Sequence, residues 1–282
     1  MKEILTIDQG TTSSRSIIFN ESLDMLKVSQ EDYDLMYPND GWVEADADEI
    51  LKSVQNTLDD VLKNHKDISN IVSCGITNQR ESTVIWDKLS GKAIYPVIIW
   101  QDRRTAALCN NLKEDQNLAE MVSKKTGLIL DPYFSATKIK WILDNVEGAR
   151  AKADAGELAF GTIDSFLIWN LTKEKNHLTD VTNASRTLLF NINDLNWDNE
   201  LLSLFDIPLN LLPDVVSSDH EFGNIEIEDT KIPVHGVLGD QQSALVGQNC
   251  FSKNSMKTTS VSYTHLRAHE TEADLVCRLL LE

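Results

Sequence analysis

The chain has 282 residues, 41% of them apolar and 25% charged, and its 26 Lys+Arg against 44 Asp+Glu leave a net charge of −18. That length buries a sizeable core without disulfide or metal staples and suggests one large or two modest domains. The acidic balance argues against nucleic acid or an anionic membrane as the main partner, since phosphate backbones demand clustered Lys and Arg; it leaves room for a nucleotide held by backbone N–H groups and one metal ion.

The predicted elements alternate between strand and helix. Ile4, Leu5 and Ile7 lead into a polar loop around Gly10, and Ser16 to Phe19 lead out, a hairpin pattern. Pro38 and Gly41 mark a loop. From Asp46 to about His65 the period changes: Ile50, Leu51, Val54, Leu58, Val61 and Leu62 fall three or four apart on one helix face, with Asp46 or Asp48 placed to cap it. Strands are expected at Ile71–Ile76, Val84–Trp86 and Val97–Trp100, with a turn at Ser90-Gly91-Lys92. Helical pattern follows Asp102. Ser135 reads as the cap of a helix carrying Ile139, Ile142, Leu143 and Val146 on one face. Leu158–Gly161 reads as a strand and Phe166–Leu171 as a helix core. Pro208, Pro213 and Pro233 punctuate a segment expected to be loop-rich, before a strand at Val234–Leu238 and a helix from Ser243 to Gly247. No internal repeat stands out, and the alternation argues for an α/β fold.

No apolar run approaches the roughly 18 residues of a membrane span, and the start of the chain lacks a signal-peptide pattern. Cys74, Cys109, Cys250 and Cys277 form no CxxC pair and match neither a zinc ribbon nor a disulfide scaffold. They read as reduced thiols of a cytoplasmic protein.

Three polar clusters follow expected strands. In Asp8-Gln9-Gly10-Thr11-Thr12-Ser13-Ser14-Arg15, Gly10 permits close backbone approach to a phosphate, Thr11, Thr12 and Ser13 offer donors, and Arg15 adds charge. Asp8 at the strand end suits a divalent cation or its waters. The alternative is a plain polar hairpin turn. In Gly239-Asp240-Gln241-Gln242, Asp240 suits a general base where ligands bind beyond the carboxyl ends of strands, or else an ordinary helix N-cap. Asn78-Gln79-Arg80-Glu81 supplies donors and acceptors for a polyol, or else a surface ion pair. Trp100 and Tyr133 offer an apolar wall and a phenol, or else core aromatics. Neither GxxxxGK[ST] nor GxGxxG is present.

Eight strings, DQGTTSSR, YPNDGWVEAD, GITNQRE, VIIWQDRRT, DPYFSATKIKWILDNVEGAR, GTIDSFLIWNLT, TDVTNASRTLLFNI and GDQQSALVGQ, run in order along the chain. In that order and spacing the chain resembles the FGGY family of carbohydrate kinases from Met1 to about Thr259. The pairing of NQRE with GDQQ is more similar to the branch that phosphorylates glycerol than to those acting on xylulose or gluconate. The resemblance implies a ribonuclease-H-like α/β kinase domain of the actin and hexokinase type, the first of two such domains, with substrates in the cleft between them. It implies MgATP-dependent phosphorylation of glycerol to sn-glycerol 3-phosphate, with ATP and Mg2+ as cofactors and members that are often homo-oligomeric. Carried over residue by residue, Asp240 is the base; Arg80, Glu81, Tyr133, Asp240 and Gln241 hydrogen-bond glycerol; Trp100 packs on its carbon side. Gly10, Thr11, Thr12, Ser13 and Arg15 face the nucleotide phosphates, and Asp8 sits by the magnesium.

The chain departs from the family after residue 257, where a Thr-Tyr-Gly-Thr-Gly-type phosphate loop is replaced by Thr-Thr-Ser-Val-Ser-Tyr. Residues 1–250 are expected to be the polyol-binding domain and 251–260 the start of a nucleotide domain. Residues 261–282 read as an unrelated, artefactual tail, His265 and His269 included. By itself the 282-residue chain is expected to be inactive. Two other readings stay open: a fragment that binds polyol without catalysis, and a kinase of another small polyol or sugar.

Overall fold

The computed structural model describes residues 2–63, 65–227, 230–252 and 255–258. The expected tail 261–282, with His265, His269 and Cys277, lies outside the described residues, as does part of the expected junction 251–260. Strands β1 (Glu3–Gln9) and β2 (Ser13–Asn20) form the expected hairpin, and β3 (Met25–Asp32) extends it antiparallel. Helix α1 (Ala47–Leu62) buries Ile50, Val54, Leu58, Val61 and Leu62 against this sheet. Of its two candidate caps, Asp46 takes the position: its Oδ1 accepts from the N–H of Asp48 at 2.8 Å. Serine and threonine hydroxyls tie helix to sheet, Ser53 to Ser14 at 2.7 Å and Ser16 to Thr57 at 2.9 Å.

β4 (Ile71–Asn78) runs parallel to β1. β5 (Val84–Asp87) leaves this sheet and pairs antiparallel with β6 (Leu158–Gly161). Between them lie α2 (Ala106–Lys113), α3 (Gln116–Thr126) and α4 (Ser135–Asn145); α5 (Ile163–Leu171) follows β6. Further on, β7 (Asn224–Ile227) pairs antiparallel with β8 (Thr230–Gly239), which lies parallel to β4 and runs into α6 (Asp240–Gly247). The six-stranded sheet thus reads β7-β8-β4-β1-β2-β3. One core, with Leu5, Ile7, Ile76, Trp86, Phe166 and Val237, packs on it; a second, with Val122, Phe134, Ile139, Phe160 and Phe205, fills the helical side.

Three local expectations are corrected. The strand expected at Val97–Trp100 ends at Ile98, because the Trp100 N–H leaves the ladder for Ser82 Oγ, 3.1 Å away. Ser135 does not cap α4: it is the first helical residue, Phe134 holds the cap position without a side-chain bond, and the Ser135 hydroxyl donates instead to the Glu81 carbonyl at 3.0 Å. Pro233 marks no loop but sits inside ten-residue β8, opposite Asn224, where its missing N–H is tolerated because the neighbouring Val234 carries the bonds to Phe222 and Gly223.

Candidate active site

The register of the parallel strands decides what meets what. Gln9, Asn78 and Gly239 are direct partners across β1, β4 and β8, so all three strands end at one edge. The clusters after them, at Gly10–Thr12, Gln79–Glu81 and Asp240–Gln242, share that edge, the place where α/β sheets hold ligands.

There Arg80 Nε lies 3.1 Å from Asp240 Oδ1, and Arg80 Nη1 donates to Gln242 Oε1 at 3.2 Å. Arg80 and Glu81 are buried, so the pair is no surface ion pair, whereas the Asp240 side chain keeps 42% of its surface. Asp240 opens α6 and Gly239 holds the cap position, so Asp240 is not the N-cap; its Oδ1 accepts from the Gln241 N–H at 2.6 Å. Burial pushes its carboxyl above the ordinary aspartate range, Arg80 opposes this, and Glu81 adds to it. Gly239 is required by packing: a Cβ there would stand 2.4 Å from Arg80 Cδ.

Trp100 and Tyr133 close one side, edge to face with ring centroids 5.5 Å apart. The Trp100 indole donates to Thr11 Oγ1 at 2.9 Å, which joins the aromatic wall to the glycine loop. Burial, then the negative charge of Glu81, raises the Tyr133 phenol, so it stays a protonated donor at neutral pH. Gln241 is turned toward Lys257, whose Nζ donates to its Oε1 at 2.7 Å.

The loop Gly10–Thr12 is tight: Gly10 N–H bonds Ser13 O at 2.8 Å, and a Cβ on Gly10 would meet that oxygen at 3.2 Å. A buried amide net props it from below. Gln79 Nε2 donates to Gln9 Oε1 at 3.1 Å and to Gly10 O at 3.1 Å, and the Tyr33 hydroxyl donates to Gly10 O at 2.7 Å. Arg15 is shared between Gln30 Oε1, 2.6 Å from its Nη2, and Asp8, 4.0 Å away. Burial raises the Asp8 carboxyl and Arg15 counters it. Thr12 is exposed, and Ser13 is half-buried at the start of β2.

Two buried cations were missed from the sequence. Arg186 Nε donates to Glu81 Oε1 at 2.5 Å. Lys138, fully buried, donates to the carbonyls of Tyr133 at 2.5 Å and of Glu81 and Phe134 at 3.3 Å, and burial lowers it to about 7. A signal existed for Lys138, which stands four residues before Ile142 on the apolar face of its helix.

A six-stranded sheet of this order, with three polar loops at the parallel strand ends, is a ribonuclease-H-like α/β domain of the actin and hexokinase type. The N-terminal domain model of the FGGY family of carbohydrate kinases matches residues 3–247, and the chain belongs to that family. Within it, the chain is 55% identical over 261 residues to a glycerol kinase of Alteromonas mediterranea, covering 92% of this chain and 53% of that one. It is 51% identical over 264 residues to a glycerol kinase of Fusobacterium nucleatum, covering 92% and 53%. The crystal structure of Plasmodium falciparum glycerol kinase with ADP superposes with a TM-score of 0.85 at 37% identity, over 90% of this chain and 51% of that one. A xylulose kinase of Lactobacillus acidophilus, at 21% identity and a TM-score of 0.80, shares the fold. The chain spans about half the length of the curated relatives it matches.

Proposed function

We propose that this chain supplies the polyol-binding side of a glycerol kinase, which transfers the γ-phosphoryl group of MgATP to glycerol and yields sn-glycerol 3-phosphate. In this reading residues 1–250 are the polyol-binding domain. The observation that carries it is the meeting of Asp240 with Arg80 at 3.1 Å, beside buried Glu81, at the ends of three parallel strands. The relatives named glycerol kinase support the substrate, and the ADP-bound neighbour supports the nucleotide.

In the reaction Asp240 accepts the proton of the attacking glycerol hydroxyl as the hydroxyl oxygen bonds to the γ-phosphorus and the bond from that phosphorus to the bridging oxygen breaks, releasing ADP. Its raised proton affinity favours that role, and a positioned base contributes roughly 10²–10⁴-fold. Arg80, Glu81, Tyr133 and Gln241 hold the hydroxyls, and Trp100 covers the carbon side. Gly10, Thr11, Thr12, Ser13 and Arg15 receive the phosphates on loop donors and charge. Asp8 is a half-exposed lone carboxylate, and among the described residues no group of three or more His, Cys, Asp or Glu side chains is placed to cage an ion. That donor set fits magnesium arriving on phosphate oxygens with its waters, which supplies charge neutralisation on the phosphates. A cytoplasmic location agrees with Cys74, Cys109 and Cys250, which are free and buried.

The test is ADP release from MgATP by the full-length protein, with glycerol, xylulose and gluconate offered in parallel. Glycerol is expected to be preferred by at least ~100-fold in kcat/KM, as expected when mismatched hydroxyls leave buried polar groups unpaired. Preference for either of the others refutes the substrate.

A further inference from the structure

Glu81 is fixed more firmly than a simple hydrogen-bond acceptor needs. Its backbone is left-handed, φ 63°, a conformation that costs a non-glycine residue about 1 kcal/mol or more. The carbonyl is pinned there by the Ser135 hydroxyl at 3.0 Å and by Lys138 Nζ at 3.3 Å. The side chain, 2% exposed, is held by two cations on the same oxygen: Arg186 Nε at 2.5 Å from Oε1, and Arg80 Nε at 4.0 Å from it. Among the described residues no hydrogen bond reaches Oε2. Arg186 has little freedom to move. It is 4% exposed, and its guanidinium lies 4.9 Å from the Phe134 ring and 5.6 Å from the Tyr133 ring. Arg80 is engaged elsewhere, by Asp240 and Gln242.

A buried carboxylate with one satisfied oxygen asks for a donor on the other. A substrate hydroxyl answers it. A hydrogen atom in the same place leaves Oε2 desolvated and unpaired, and sites of this kind reject the analogue rather than merely bind it less.

We propose that Arg186 is a positioning residue: by occupying Oε1 it presents Oε2 of Glu81 as a fixed acceptor, and so sets the preference for a polyol with a hydroxyl at that place over an equally long analogue without it. The inference rests on the strand-end cluster being the polyol site.

Calorimetry on the full-length protein tests it, with glycerol, 1,2-propanediol and 1,3-propanediol against wild type, Arg186→Met and Arg186→Lys. KM for MgATP and melting midpoints are recorded beside them. Arg186→Met is expected to weaken glycerol at least ~10-fold, while the diol lacking the hydroxyl that meets Glu81 changes less than ~2-fold, because only the former loses a charge-assisted bond. The KM for MgATP stays within ~2-fold, and Arg186→Lys restores part of the preference, since it keeps the charge without the fork. Equal weakening of glycerol and both diols overturns the proposal, since a structural role predicts that. So does an unchanged preference. Where Arg186→Met fails to fold, Arg186→Lys at a wild-type melting midpoint decides: it must show a reduced preference, and a wild-type preference is refutation. Failure of the wild type to bind any of the three polyols instead defeats the site reading, and the proposal with it.

Discussion

Gly239→Ala sets two effects of opposite sign against each other at the centre of the site. At Gly239 φ is −58° and ψ 149°, a conformation alanine adopts freely. On backbone entropy alone the substitution should stabilise the fold by about 0.4–1 kcal/mol. Against this, the new Cβ would stand 2.4 Å from Arg80 Cδ, 2.7 Å from Arg80 Cγ and 3.1 Å from Gln242 Oε1. Ordinary carbon contacts lie at roughly 3.5–4.0 Å, so the stem must retreat by about 1 Å. The clashing atoms are mid-chain, not the free end of a flexible group. Beyond them the guanidinium is held by Asp240 at 3.1 Å and Gln242 at 3.2 Å. Overpacking of this kind costs about 1–3 kcal/mol. The ion pair adds little to that loss, because Asp240 is 42% exposed and water screens it. In the full-length protein the net expectation is a loss of about 1–2 kcal/mol in urea unfolding, together with a glycerol KM raised ~10-fold and a KM for MgATP nearly unchanged, because in the proposed site Arg80 is a polyol-binding group. A variant as stable as the parent or more so, with an unchanged glycerol KM, would show that Arg80 yields freely and that its placement is not set by Gly239.

In the full-length protein, Asp240→Asn is expected to keep glycerol binding and lower kcat by at least ~10²-fold, since an amide accepts no proton; turnover within a few-fold of the parent in a coupled assay removes Asp240 from the base role. Arg80→Ala should weaken glycerol by an amount equivalent to about 1–3 kcal/mol and MgATP far less; equal weakening of both would make Arg80 structural. Asp164 is fully buried, receives the hydroxyls of Thr162 and Thr179 at 2.5 and 2.7 Å, and is raised by burial, with Asp180 adding, from 3.8 to about 7. The folded chain therefore holds this proton more tightly than the unfolded chain does. Its contribution to stability is greatest below about pH 4 and is lost as the pH rises to about 7. Urea unfolding between pH 4 and 8 should show Asp164→Asn losing less stability over that window than the parent; parallel profiles would mean that Asp164 is charged throughout.

Elements whose pattern is local were legible in the sequence: the apolar face of α1 and the apolar alternation of β1 and β2 follow from spacing alone. What periodicity could not give is adjacency. Residues 9, 78 and 239 are far apart in the chain, and only the parallel ladders set them side by side; likeness to a family supplied that step. Two of the misread residues have a common cause, which Pro233 does not share. Ser135 was expected to cap, Trp100 to continue a strand, and each instead spends a donor on the segment Glu81–Ser82. Lys138, on an apolar helix face, does the same, and Glu81 itself stands in a backbone region that its own side chain disfavours. A local rule is worth around 1 kcal/mol, and a buried carbonyl or carboxylate left without a donor costs about as much or more. At Ser135 and Lys138 the second cost wins, so these departures from local pattern gather where the chain holds the Glu81 backbone still.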